Sequence, residues 1–203
     1  MQRSAVILAG GFSRRFGRDK GSVVLAGKPL ICHVIERVSN LVDEIVVVVS
    51  SKNQKEKLEI ILDEKANLII DKTESQSPLI GTMTGFESAK GEISLLLPCD
   101  TPLVSTQVVQ FLLDMCNGRN AVIPRWPSGY IEPLQAAYRT KSALTAAKTA
   151  LEQGNMNMRS MIDNLKGVRY VSTMLLEQME PKLLTFFNIN TPQDLKKAES
   201  LLK

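Results

Sequence analysis

Short, nearly continuous apolar runs alternate along this chain with stretches whose apolar residues recur at helical spacing. Residues 5–8, Glu44–Val49, 68–70 and 93–97 read as strands buried on both faces, each too short for a helix of the same composition. Leu30, Ile31, Val34, Ile35 and Val38 fall on one helical stripe, as do Val108, Val109, Leu112 and Leu113. Strands that alternate with helices predict an α/β fold, a doubly wound and mostly parallel sheet. Beyond Asn117-Gly118 the rhythm changes. Residues 121–124 and 130–138 flank the turn-forming Pro127-Ser128-Gly129, which predicts an antiparallel pair inserted into that sheet. Residues 142–153 and 192–202 read as helices, while 154–165, rich in Met and Asn, carries a weak signal. No linker, repeat or low-complexity tract interrupts the pattern, so one domain is expected over 1–203.

The first apolar run leads directly into Leu8-Ala9-Gly10-Gly11-Phe12-Ser13-Arg14-Arg15-Phe16-Gly17-Arg18-Asp19-Lys20. Open α/β sheets bind ligands at the carboxyl ends of their strands, which is where Gly10 and Gly11 fall. Glycines there allow positive φ and let backbone N–H groups approach an anion. Arg14, Arg15, Arg18 and Lys20 place four cations within seven residues, opposed only by Asp19, a density that suits a triphosphate. The segment is neither G-x-G-x-x-G nor a P-loop, because Gly17 is followed by Arg18 rather than by Lys-Ser/Thr. Lys20 is the candidate for neutralising charge on a departing pyrophosphate, and the arginines for forked contacts to phosphate oxygens.

Asp100 closes the most apolar strand candidate and so reaches the same sheet edge as Gly10. A buried carboxylate needs a partner, and Mg²⁺, which bridges phosphates through one or two carboxylates, would supply it. The alternative is a helix cap, since Asp100-Thr101-Pro102 also resembles a turn before the helix near Val108. Asp71 ends another buried strand and reads equally as a turn former before the polar loop 72–77. Gly81 and Gly85 would let a helix N-terminus approach a base or ribose, with Gly81 alternatively serving a turn. Near the carboxyl end, Thr191 suits an N-cap, Pro192 the first helical position and Asp194 the positive end of the helix. These roles leave Asn188 and Asn190 unexplained, two asparagines that would share one face of an extended strand.

Composition narrows the ligand class. The net charge of +4 could suggest nucleic acid, but aromatics make up only 5% of the chain and no base-stacking module is visible. Small phosphorylated ligands account better for the excess of cations. Cys32, Cys99 and Cys116 lack C-x-x-C spacing, which argues against structural zinc or a disulfide framework and favours a cytoplasmic location. No apolar run approaches the ~20 residues of a membrane span. His33, the only histidine, sits in a helical segment and reads as a packed or rim residue, so histidine-based catalysis is not expected.

The pattern L-A-G-G-x-S-x-R-x-G-x-D-K resembles the signature loop of the molybdenum cofactor guanylyltransferases, within the wider sugar-nucleotide-type nucleotidyltransferases. Asp71 after Asn67-Leu68-Ile69-Ile70, Pro78-Leu79-Ile80-Gly81, Pro98-Cys99-Asp100-Thr101-Pro102, Glu132-Pro133-Leu134-Gln135-Ala136 and Asn188-Ile189-Asn190-Thr191-Pro192 follow in the family's order. The resemblance implies a Rossmann-like three-layer nucleotidyltransferase fold, with a nucleotide-binding part over 1–117 and an acceptor-side part over 118–203. It implies transfer of GMP from GTP to the terminal phosphate of the molybdopterin cofactor, with Mg²⁺ held by Asp100. Leu8, Ala9, Gly10, Gly11, Lys20, Asp71 and Asp100 would bind the nucleotide, while Arg15, Asn188 and Asn190 would lie on the acceptor or metal side. Delivery to a molybdoenzyme or its chaperone is a further implication. Two departures stand out: Gln135 replaces the family's usual histidine, and Phe16 its methionine. A cytidylyltransferase of the same fold is the alternative enzyme, although such relatives read A-A-G where this chain has Ala9-Gly10-Gly11. A noncatalytic nucleotide-binding protein would not need both Asp100 and Lys20.

Overall fold

The computed structural model describes residues 1–10, 12–13, 18–62, 64, 66–71 and 77–202. Its centre is a seven-stranded mixed sheet built from β1 (Arg3–Leu8), β2 (Glu44–Val49), β3 (Asn67–Ile70), β4 (Ile93–Pro98), β5 (Ala121–Arg125), β6 (Ala136–Arg139) and β7 (Val168–Ser172). The strand order is β7-β5-β6-β4-β1-β2-β3. β1 pairs in parallel with β2 and β4, β2 with β3, and β5 with β7, whereas β6 runs antiparallel to both of its neighbours. The chain leaves β1 towards β2 and β3 and then returns to the other side of β1 as β4. That reversal leaves a crevice at the carboxyl ends of β1 and β4, the position where such sheets bind ligands.

Alternation along the central strand sorts the core into two layers. Ala5 and Ile7 of β1 pack with residues of α1 (Leu30–Val38), α2 (Lys52–Leu62), α4 (Thr106–Met115) and α7 (Thr173–Glu177). Val6 faces the other side, with α3 (Pro78–Ser88), α5 (Thr140–Glu152) and α6 (Met158–Asp163). Cover on both faces explains why the inner strands β1, β2 and β4 are continuous apolar runs, whereas β3, expected to be buried on both faces, is an edge strand that buries only Leu68 of its four residues. A third, smaller cluster joins Val23, Leu25, Leu30, Leu103, Ile189 and Ala198. It seats the segment after the glycine turn against the last helix, α8 (Pro192–Leu201), so Lys20 and Asn190 are held by one apolar anchor.

The strand expected over 130–138 is shorter than the alternation suggested. Ile131 makes an isolated bridge to Arg125, and the ladder resumes only at Ala136. Pro133 has no N–H for a ladder, and Glu132-Pro133-Leu134-Gln135 instead forms a turn closed by Gln135 N–H to the Glu132 carbonyl at 3.3 Å. Within 154–165 the chain forms α6, capped by Asn157, whose Oδ1 accepts the Ser160 N–H at 2.9 Å. Gly85 has a packing role rather than the ligand role expected for it. A Cβ there would sit 2.2 Å from Val6 Cγ1, so its absence lets α3 lie against β1. His33 is half-buried and its Nε2 lies 2.9 Å from the Leu25 carbonyl, a packed residue as expected. None of the three cysteines is in a disulfide. Among the described residues no helix is long and apolar enough to cross a membrane.

Candidate functional site

Four neighbouring strands end at one edge, with Asp100 after β4, Gly10 after β1, Ser50 after β2 and Asp71 after β3. A cavity of about 370 Å³ opens over them, lined also by Lys20, Gly81, Leu134, Asn188 and Asn190. The topology therefore gathers Leu8, Gly10, Lys20, Asp71, Asp100, Asn188 and Asn190, seven residues singled out in the sequence, around one space.

Asp100 is 4% exposed. Its Oδ2 accepts from Lys20 Nζ at 2.7 Å, and the same ammonium donates to Asn190 Oδ1 at 2.6 Å. The Asp100 carbonyl accepts the Ile189 N–H at 2.8 Å, which ties the Asn188–Asn190 segment to the end of β4. The helix cap read as an alternative for Asp100 is taken elsewhere: α4 starts at Thr106, and Ser105 accepts the Val108 N–H. Asp100 Oδ1 is buried and has no hydrogen-bond partner among the described residues. A buried carboxylate oxygen left unpaired is costly, and a hard divalent cation bridging to phosphate oxygens is the kind of partner that offsets it. The donor set fits Mg²⁺ in that sense. It supplies one carboxylate, and among the described residues no three His, Cys, Asp or Glu side chains cluster as a complete protein cage.

Asp71 sits differently. It is half-buried, its N–H donates to the Val49 carbonyl at 2.7 Å, and its Oδ1 accepts from Thr84 Oγ1 at 2.9 Å. A Cβ on Gly81 would lie 3.6 Å from Asp71 Oδ2 and 3.4 Å from Leu8 Cδ2, so a bare backbone at Gly81 keeps this end of the cavity open.

The glycine turn departs from expectation. The N–H groups of Ala9 and Gly10 both donate to the Val48 carbonyl, at 2.8 and 3.1 Å, so they extend the sheet instead of pointing at an anion. Gly10 lies outside the left-handed region. Gly11, Arg14, Arg15 and Phe16 lie outside the described residues. Arg18–Asp19 forms a two-residue ladder with Phe12–Ser13, which leads the chain back so that Lys20 faces Asp100.

Across the cavity's rim Gln135 is buried, and its Nε2 donates to Asn188 Oδ1 at 3.3 Å. An amide thus does the orienting where the resemblance led us to expect histidine. Thr191 and Asp194 form a full capping box on α8, and Asp194 Oδ2 also accepts the Asn190 N–H at 3.0 Å. Burial pushes the Asp194 carboxyl up, but the hydrogen bonds from Thr191 and Asn190 outweigh it and hold the group below its ordinary value. Arg125 lies over the Tyr170 ring at 5.7 Å. Glu132 Oε1 accepts the Trp126 indole N–H at 2.7 Å, and burial raises its carboxyl.

One residue at the site had no motif to announce it. Gln54 on α2 is 2% exposed. Its Nε2 donates to the Ala9 carbonyl at 2.7 Å, and its Oε1 accepts from Ser50 N and Oγ at 2.9 and 3.0 Å. The signal available in sequence was its place on the buried stripe Gln54, Leu58, Leu62: a polar side chain at an apolar position of a helix needs a polar partner inside.

The family model for the MobA-like NTP transferase domain matches residues 5–168. A probable molybdenum cofactor guanylyltransferase from Pyrococcus horikoshii is 34% identical over 203 residues, covering 96% of this chain and 98% of the relative. The molybdenum cofactor guanylyltransferase from Desulfosudis oleivorans is 32% identical, covering 98% and 96%. Among solved structures, molybdopterin-guanine dinucleotide biosynthesis protein A from Archaeoglobus fulgidus superposes with a TM-score of 0.83 at 31% identity, covering 98% of both chains. A 4-diphosphocytidyl-2C-methyl-D-erythritol synthase from Anaerococcus prevotii superposes with a TM-score of 0.75 at 16% identity, covering 99% and 96%, a likeness of fold alone.

Proposed function

The chain belongs to the MobA-like NTP transferase family, and we propose that it transfers GMP from GTP to the terminal phosphate of the molybdopterin cofactor, releasing pyrophosphate. The observation that carries this reading is the Lys20–Asp100–Asn190 constellation at the switch of the sheet, in a chain about one third identical over nearly its full length to molybdenum cofactor guanylyltransferases.

In this reading the triphosphate lies over the ends of β4 and β1, and the nucleoside extends towards the ends of β2 and β3. Asp71, open beside Gly81, would help to hold the nucleoside. An oxygen of the acceptor phosphate attacks the α-phosphorus; that P–O bond forms as the bond from the α-phosphorus to the bridging oxygen breaks, and its electron pair leaves on pyrophosphate. The acceptor is already anionic near neutral pH, so no base has to take a proton from it. What remains for the protein is alignment and charge neutralisation, which dominate phosphoryl-type transfer. Lys20 would turn from Asp100 towards the phosphates and balance the charge that accumulates on the leaving group. Asn190, tethered by Asp194, and Asn188, held by Gln135, would orient the acceptor phosphate. Asp100 would hold Mg²⁺, which when bound supplies positive charge to the α- and β-phosphate oxygens.

The test is product identification. Incubation with Mg²⁺, the cofactor and either GTP or CTP, followed by mass spectrometry, should give the guanine dinucleotide. Formation of the cytosine dinucleotide alone would move the chain to a cytidylyl activity, and release of no pyrophosphate from either would remove the enzymatic reading.

A further inference from the structure

We infer that Gln54 is a positioning residue for base recognition, which fixes the hydrogen-bonding polarity of Ser50 so that the cavity presents an acceptor there to the 2-amino group of guanine. The inference rests on the guanylyltransferase reading above and names how that selectivity is built.

The orientation of the Gln54 amide follows from backbone groups that have no freedom of their own. A carbonyl can only accept, so the group 2.7 Å from the Ala9 oxygen is the NH₂ of Gln54. A backbone N–H can only donate, so the group 2.9 Å from Ser50 N is the amide oxygen. With the amide fixed at both ends, the hydroxyl of Ser50, 3.0 Å from the same oxygen, must spend its proton on Gln54. Its remaining lone pairs accept and cannot donate. Burial of Gln54 protects the arrangement from water.

Ser50 lines the cavity between Gly10 and Asp71, on the strand next to β1 and away from Lys20 and Asp100. A nucleotide whose phosphates lie at the cationic end places its base or ribose along this stretch. The Asp71 carboxylate is also an acceptor, so two neighbouring side chains ask for donors. Among the four bases, guanine alone carries two adjacent donors, N1–H and the 2-amino group; adenine and cytosine pair a single amino group with a ring-nitrogen acceptor. A free serine hydroxyl would rotate to suit either kind of edge, and the contact to Gln54 removes that freedom.

Calorimetric titration with GTP, ITP and CTP in the presence of Mg²⁺ separates this role from a structural one, because ITP differs from GTP only by the 2-amino group. The wild-type chain should bind GTP about tenfold more tightly than ITP, and Gln54→Met and Ser50→Ala should each lower that ratio to about twofold, the scale of one well-made hydrogen bond. The double variant should discriminate no worse than either single, since both act on one contact. Equal weakening of GTP and ITP by Gln54→Met, with the ratio kept, would make Gln54 a structural brace and overturn the inference. An unchanged ratio in Ser50→Ala would do the same, and that variant carries the test if Gln54→Met fails to fold. A wild-type preference for CTP would overturn the guanylyltransferase reading itself.

Discussion

Asp100 and Asp71 each lie just beyond a strand at the same edge of the sheet, but β4 before Asp100 is buried throughout whereas β3 before Asp71 is an edge strand that buries only Leu68, and the surroundings of the two carboxylates differ in kind. Asp100 is 4% exposed, shares one oxygen with an ammonium and leaves the other without a partner among the described residues. Asp71 is half-buried and settled by a neutral hydroxyl, with its other oxygen beside the bare backbone of Gly81. The first environment concentrates charge in a dry place, where a cation or a phosphate feels it strongly. The second offers a hydrogen-bond acceptor partly open to water, suited to recognition. Topology brings a carboxylate to a strand end, and the packing around it decides whether it works by charge or by hydrogen bonding.

If that contrast holds, the largest effect belongs to Asp100. Asp100→Ala should keep the fold yet lower turnover by on the order of 100-fold or more, the usual cost of a focused electrostatic contact; steady-state pyrophosphate release measures it. Lys20→Met should come next, with a loss on the order of 10- to 100-fold in kcat/KM for GTP, and because it leaves a buried carboxylate without its partner, thermal unfolding should show a lowered Tm. Asp71→Asn should act on recognition, raising KM for GTP by about tenfold or less with little change in kcat. A large fall in kcat there would erase the distinction between the two carboxylates. The smallest effect belongs to a third carboxylate, Glu132, which burial raises from its ordinary value near 4.5 despite the Trp126 hydrogen bond. The folded state then binds this proton more tightly than the unfolded chain, so Glu132 costs stability as pH rises through and above that value. Glu132→Gln should flatten the pH dependence of Tm above pH 4.5, by on the order of 2 °C or less, which unfolding scans at stepped pH would detect.

How much of this was legible in the sequence differs by region. The strands that end at Gly10 and Asp100 are buried on both faces, and that burial writes an unbroken apolar run that a reader can follow to the residue beyond it. Residues 130–138 alternated well enough to look like one strand, but Pro133 denies the ladder a donor and the Glu132–Gln135 turn takes its place. β7, a strand at the sheet edge, buries only Val171 of its five residues, too little to write a pattern. The Asn188–Asn190 segment was recognisable as unexplained by its helix cap, but its contact with Lys20 spans 170 residues of sequence and no local rule reaches that far. Gln54 illustrates the opposite case. Its position on the stripe of Leu58 and Leu62 held the clue, and its partners, two backbone groups and a hydroxyl, had no signature of their own.

If charge gathered at Asp100 and Lys20 drives GMP transfer, removing the carboxylate must cut turnover while the fold persists. The most direct measurement is multiple-turnover pyrophosphate release from GTP with Mg²⁺, with and without the molybdopterin cofactor, on the wild-type chain and Asp100→Ala. Release should require the acceptor and fall by on the order of 100-fold or more in the variant. Turnover in Asp100→Ala equal to that of the wild type would contradict that role for the charge.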